Sequence, residues 1–209
     1  MIASPWGRLK VGQQLNVYDD VSLPWYYQDA AGNHNPLALW ANCGAGAGLS
    51  EGCVDNYIQN SVRIDTTPWH GFTGSTFFAK PVTERQHAFI GAAGLQWQSD
   101  KAYAGIAFQQ QTNVRGAGLA ETSVTASVAR TEGAWYAALG AEHLSYDTLV
   151  GMIARDYGGM LIKYTIAGGV GTYWINFGIA GAGYGTAPEG AYVNAVRVGP
   201  GTGVVSRNP

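Results

Sequence analysis

Gly48-Leu49-Ser50-Glu51-Gly52 fits the pattern G-x-S-x-G, in which glycines permit a sharp elbow that presents a nucleophilic serine. That elbow needs a hydrophobic strand before it and a helix after it. Neither pattern flanks Ser50, so a plain Gly/Ser loop is the better reading. Glycoside hydrolysis needs two carboxyl groups close together, one of them held protonated. Glu132 and Glu142 flank an expected strand around Trp135-Tyr136, and Asp147 and Asp156 flank another; solvated strand ends account for all four. A lyase needs a base such as His or Tyr beside groups that steady a carboxylate. Arg85-Gln86-His87, opening an expected strand, is the local candidate, and a polar strand edge is its plainer reading.

His34, His70 and His143 are scattered without metal-ligand spacing. Asp19-Asp20 and the segment Asp29 to Asn33 carry oxygens suited to Ca²⁺ but lack the spacing of an EF-hand loop, and Asp29 to Asn33 reads as a turn. The run Gly44-Ala45-Gly46-Ala47-Gly48 has neither the spacing nor the strand-helix context of a nucleotide loop. No metal and no cofactor are expected. Cys43 and Cys53 lie in one Gly-rich segment, where a disulfide would stabilise by about 2–3 kcal/mol and two unpaired thiols are the alternative. Binding is the remaining chemistry. Trp25, Tyr26, Tyr27, Trp40 and Trp69 fall in irregular sequence, where rings either stack on sugar faces or anchor loops to a sheet.

The chain that must position these groups has 209 residues, of which 46% are hydrophobic and only 12% charged. The usual charged fraction is about 25%, so either uncharged polar residues dress the surface or neighbouring subunits hide part of it. A net charge of −2, with no cluster of Lys and Arg, argues against nucleic acid as a partner. No apolar run of roughly 20 residues is present, so no membrane span is expected. Met1 to Lys10 lacks the pattern of a secretory signal.

Residues 1–80 read as irregular and aromatic-rich, packed on a β-sandwich over 85–199, and the whole of 1–209 reads as a single domain. Strands are expected at 103–108, with Ala104, Ile106 and Phe108 on one face, and at 122–128, with Val124, Ala126 and Val128 inward and hydroxyl groups outward. Leu149 to Arg155, Met160 to Ile166 and Tyr173 to Ile179 read as a meander, reversing at Asp156-Tyr157-Gly158-Gly159 and at Ala167 to Gly171. A last strand covers 191–198, with a tail beyond Gly199 that is either loose or used in packing. Short helices are expected only at Leu37 to Asn42 and Gly140 to Leu144. The fold class is therefore all-β, an antiparallel sandwich or jelly roll with Gly-rich turns and an irregular N-terminal part.

The low charge, abundant Gly, Ala and Thr, and Gly-punctuated meander of residues 85–199 resemble phage tail-fibre, spike and other virion proteins. The resemblance implies a non-enzymatic virion structural or receptor-binding protein, in the virion or extracellular. It implies homo-oligomers such as trimers, with other virion proteins and cell-surface glycan as partners. The alternative is a carbohydrate-active enzyme, a polysaccharide lyase or glycoside hydrolase, or a carbohydrate-binding module.

Overall fold

The computed structural model describes residues 1–22, 57–81, 87–114, 116–166, 172–188, 192–193, 196–197 and 202–208. Its strands are β1 (Ile2–Ser4), β2 (Gly7–Leu15), β3 (Tyr57–Thr66), β4 (Phe72–Ala79), β5 (Phe89–Gln98), β6 (Ala102–Thr112), β7 (Ala120–Glu132), β8 (Trp135–Thr148), β9 (Gly151–Thr165), β10 (Thr172–Ala180), β11 (Tyr184–Gly185), β12 (Tyr192–Val193), β13 (Val196–Arg197) and β14 (Thr202–Asn208). One short helix, α1 (Val17–Ser22), follows β2. The all-β expectation holds. The described strands do not form the two facing sheets of a sandwich or jelly roll. They make one open antiparallel sheet in the order β1-β2-β3-β4-β5-β6-β7-β8-β9-β10-β14, with β11 beside β9 and a separate β12-β13 hairpin.

Several expected elements change. Residues 1–80 hold β1 to β4 and α1 where irregular chain was expected. Gly140 to Leu144 lies inside β8 and is not helical, whereas Leu37 to Asn42 falls outside the described residues. The supposed turn Asp156-Tyr157-Gly158-Gly159 is the middle of β9, where Gly159 pairs with Gly140 on one side and Gly178 on the other. Residues 202–208 form an edge strand paired with β10, so of the two expectations for the tail it is packing that applies.

α1 explains the curvature of the sheet. Asn16 caps it through Oδ1, 3.3 Å from the Tyr18 amide, and Asp19 and Asp20 sit in its first turn, where the helix dipole favours negative charge. In a flat sheet β3 and β8, five spacings apart, would be separated by about 24 Å. Both nevertheless bond to this six-residue helix: Arg63 of β3 pairs with Asp20, and the Tyr18 hydroxyl donates to Glu142 of β8. The strands between them reach it as well. The Asn16 amide donates to Gln109, the Ser127 hydroxyl donates to the Val21 carbonyl, and the Tyr103 hydroxyl lies 3.2 Å from the Asp20 carbonyl. The sheet therefore curls around α1, and its concave face is the interior.

Candidate functional site

Strand register assigns the residues of β3 to β9 to one of two faces, and in β7 the assignment reverses what the alternation alone suggested. In β7, Glu121, Ser123, Thr125 and Ser127 point into the concave interior, with Thr125 only 1% exposed, while Val128 is 51% exposed. In β6, Gln109 and Gln111 are buried, whereas Ile106 and Phe108 lie outside. Ala104, Ile106 and Phe108 share one face as expected, whereas in β7 the hydroxyls expected outside are inside and Val124, Ala126 and Val128, expected inward, lie on the outer face. Two apolar clusters do fill part of the interior. One joins Tyr18 and Val21 to Leu144, Tyr146, Ile153 and Leu161, and the other joins Val17 to Ile58, Phe77 and Ile90.

Charge is also held inside. Arg63 Nε lies 2.7 Å from Asp65, and Lys10 Nζ and the Ser75 hydroxyl each lie 2.8 Å from the same carboxylate. Burial works against the Asp65 charge, but the hydrogen bonds from Lys10, Arg63 and Ser75 prevail and hold its carboxyl below its ordinary 3.8. Burial likewise opposes the Arg63 charge, and the carboxylates of Asp20 and Asp65 overcome it and raise its pKa. The Tyr18 phenol is pushed well up, first by burial and then by the adjacent Glu142.

The convex face is different in kind. From β4 to β6 no outward position carries a charge; Phe72, Phe78, Phe89, Leu95, Ile106 and Phe108 are all exposed there. The belt continues through Val128, Trp135 and Leu139 to Tyr173, Ile175, Phe177 and Ile179. On β5 it runs from Phe89 to Trp97, about 27 Å of strand, or roughly 20 Å of height at a tilt near 40°. Aromatic rings and charges gather at one end of the strands. The Trp135 and Tyr164 rings pack at a tilt with centroids 4.8 Å apart, and Lys101 and Arg130 each meet Glu132 at 3.0 Å. The connections at that end, residues 67–71, 99–101, 133–134 and 166–171, are all short, whereas the other end has the long ones, 16–56 and 181–201, with 80–88, 113–119 and the two-residue 149–150.

At the end away from this ring the convex face turns polar over β8 and β9. His143 Nδ1 lies 2.7 Å from Asp156 Oδ1, and Tyr184 Oη lies 3.3 Å from both His143 Nδ1 and Asp156 Oδ2. Partial burial, then the Asp156 charge, raises the Tyr184 phenol and keeps it a donor. Alternation puts Ser145 on the same face as His143.

Of the five aromatic residues singled out as binding candidates, only Trp69 falls among the described residues. Trp69 sits in the turn between β3 and β4, 71% exposed, its ring edge-on to His70 with centroids 4.7 Å apart. Trp25, Tyr26, Tyr27, Trp40, Cys43, Cys53, Ser50, His34, Arg85, Gln86 and Asp29 to Asn33 lie outside the described residues. His87 precedes β5 with φ 64°. Neither carboxylate pair resembles a glycosidase pair. Glu132 is outside among Lys101 and Arg130, while Glu142 is a buried interior group and not a solvated strand end. Asp147 bonds the Ala120 amide at 3.2 Å, and Asp156 is paired with His143. Asp20 is committed to Arg63, and no cluster of metal-ligating side chains occurs among the described residues. The link from His143 to Asp156 is not visible in the sequence, where 13 positions separate them; only the β8-β9 register makes them neighbours. No family model matches the chain, and no curated protein matches it in sequence.

Proposed function

We propose that this chain is a membrane-embedded β-sheet protein, forming the wall of a barrel whose convex face meets lipid and whose concave face is a polar, packed lumen occupied by α1. The observation that carries the reading is the inverted polarity of the sheet. Serine, threonine, glutamine and ion pairs are buried, while an uncharged apolar belt is exposed. Water disfavours such a surface, because contiguous apolar patches beyond a few hundred Å² are rare on soluble monomers. A bilayer favours it, since outward apolar residues alternate with inward polar ones in membrane barrels, with aromatics at the interface and shorter turns at one end. No helix among the described residues is long and apolar enough to cross a membrane, so strands do the crossing. Hydrocarbon does not tolerate open sheet edges. On this reading β14 pairs in the bilayer with the part of β2 beyond Leu9, which β1 leaves uncovered, and closes a ring of ten strands, β2 to β10 with β14.

The test is depth-dependent quenching. In a Cys43→Ser, Cys53→Ser background, an environment-sensitive fluorophore on Ile106→Cys should be quenched by lipids brominated on their acyl chains. The same fluorophore on Gln109→Cys should not. Equal response at both positions overturns the proposal.

A second reading rests on the same exposed belt. An apolar face of this extent suits a phage-like virion protein whose neighbours, as in a trimer, cover it, and Trp69 on its turn could then meet a cell-surface glycan. That protein would stay in solution as an oligomer without detergent, and the quenching experiment separates the two.

A further inference from the structure

We propose that Ser145, His143 and Asp156 form a hydrolytic site for ester-linked acyl chains of membrane lipids, placed on the convex face where the apolar belt ends. The proposal rests on the membrane reading above for its substrate, and on the geometry of β8 and β9 for its chemistry.

His143 and Asp156 are direct partners in the β8-β9 register, and their side chains meet at 2.7 Å through Nδ1. A carboxylate on Nδ1 fixes the tautomer that leaves Nε2 as the basic nitrogen. Ser145 is two residues along the same strand on the same face, roughly 7 Å away by strand rise, within reach of an imidazole that leans along the strand. An apo site commonly holds nucleophile and base at loose distance and tightens when substrate arrives. Tyr184 adds a hydroxyl donor at 3.3 Å from both members of the pair.

The surroundings select the substrate. Ala141, two residues before His143, belongs to an apolar groove of about 490 Å³ that crosses the convex face to Trp97 and Phe72. Small residues such as Ala126 form its floor, and Leu95, Ile106 and Leu139 form its sides. From β8 to β4 the groove spans four strand spacings, about 19 Å, the length of a long acyl chain. A lipid's ester group lies at the junction of headgroup and hydrocarbon. The site occupies the same junction, between the apolar belt and the polar strand ends.

In the reaction, Ser145 Oγ attacks the ester carbonyl carbon as His143 Nε2 takes its proton. The carbonyl oxygen carries the negative charge of the tetrahedral intermediate and re-forms the carbonyl as the leaving group departs. The C–O bond to the lipid breaks, and its alkoxide leaves with the proton from His143 as the lysolipid alcohol. Water, deprotonated by His143, then attacks the acyl-serine. Ser145 regains the proton and the fatty acid departs. Ser145 and His143 touch the reacting atoms, while Asp156 and Tyr184, both on the Nδ1 side of the imidazole, are positioning residues.

The experiment treats the full chain with a fluorophosphonate probe in detergent micelles, locates the adduct by peptide mass spectrometry, and measures fatty-acid release from phosphatidylethanolamine vesicles and from dispersed p-nitrophenyl laurate. The expected result is an adduct on Ser145, abolished by Ser145→Ala. Release should fall by about 10³-fold or more in Ser145→Ala and His143→Asn. Asp156→Asn should lower kcat more than it raises KM, with partial rescue by Asp156→Glu and a shifted pH profile. Labelling and laurate hydrolysis without vesicle insertion would overturn the membrane reading and leave the site standing. Insertion of the wild-type chain, shown by the quenching test, with no Ser145 adduct and no release from either ester, overturns the site.

Discussion

Replacing Ile106 by arginine separates the two environments of the convex face most sharply. Ile106 is 52% exposed in the middle of β6, flanked in register by Leu95 and Ala126, so its outward side chain sits near the mid-height of the belt. Against water, exchanging a half-exposed isoleucine for arginine changes stability by about 0.5 kcal/mol or less, because the new charge is hydrated and no cavity forms. Against hydrocarbon, the same exchange at a bilayer midplane costs about 2–4 kcal/mol. At 1.4 kcal/mol per factor of ten, that is roughly a 30- to 700-fold loss in the folding equilibrium. The assay is urea-dependent folding into phosphatidylcholine vesicles, with Trp135→Arg as the shallow control. Trp135 opens β8 at the aromatic end, where the cost of a cation falls to about 0–1 kcal/mol. If Ile106→Arg and Trp135→Arg lose the same stability, or if Ile106→Arg loses none, no depth gradient exists and the belt does not face lipid.

Asp65 should make stability fall with acid. Its carboxyl is held below 3.8, so its contribution is complete above about pH 4 and is lost as pH drops through the lower folded value; Asp65→Asn should flatten chemical-denaturation stability over that range. Gly94 lies under α1, where an added Cβ would come within 2.6 Å of Val17 Cγ1 and 3.4 Å of the Ile106 carbonyl. Gly94→Ala should therefore cost about 1–3 kcal/mol and speed proteolysis after Tyr18, with Val17→Ala in the same chain restoring part of the loss. Tyr18→Phe and Glu142→Gln share one buried hydrogen bond, so a double-mutant cycle followed by urea unfolding should return a coupling of about 0.5–3 kcal/mol. A coupling near zero would mean that α1 is held by its apolar side alone.

Strands were legible where alternation was regular: β6, β7 and β10 fall where the period of two put them. Which side is the interior was not legible, because a period of two separates two sets of residues without naming the one that faces the core. Hydrophobicity names it only when the other side is water. β7 went wrong for that reason, with Ser123, Thr125 and Ser127 assigned to solvent although they are 1–4% exposed. β2 and β3 were missed because their interior positions are Lys10, Arg63 and Asp65, which read as irregular polar sequence. The outward pairs Leu9 and Val11, and Val62 and Ile64, were the available signal. Gly158 and Gly159 looked like a turn because glycine usually marks one; they instead sit in mid-sheet, Gly159 opposite Gly140 and Gly178 and Gly158 opposite Ala141 and Ile179. α1 announced itself weakly, by Asn16 as a cap, two acids in the first turn and valines four apart. The candidate site is the least legible part, since register alone brings His143 to Asp156.

From β2 through β10 every strand is bonded to its successor in the chain. The girth of the molecule is therefore adjustable in whole hairpins: gaining or losing two consecutive strands keeps every remaining neighbour antiparallel, while gaining or losing one does not. Circumference grows with strand number, so duplicating a hairpin would widen the interior stepwise. Residues reaching α1 from β3, β6, β7 and β8 would then stand too far apart to grip it together. The helix thus acts as a gauge, fitting one diameter and failing at the next.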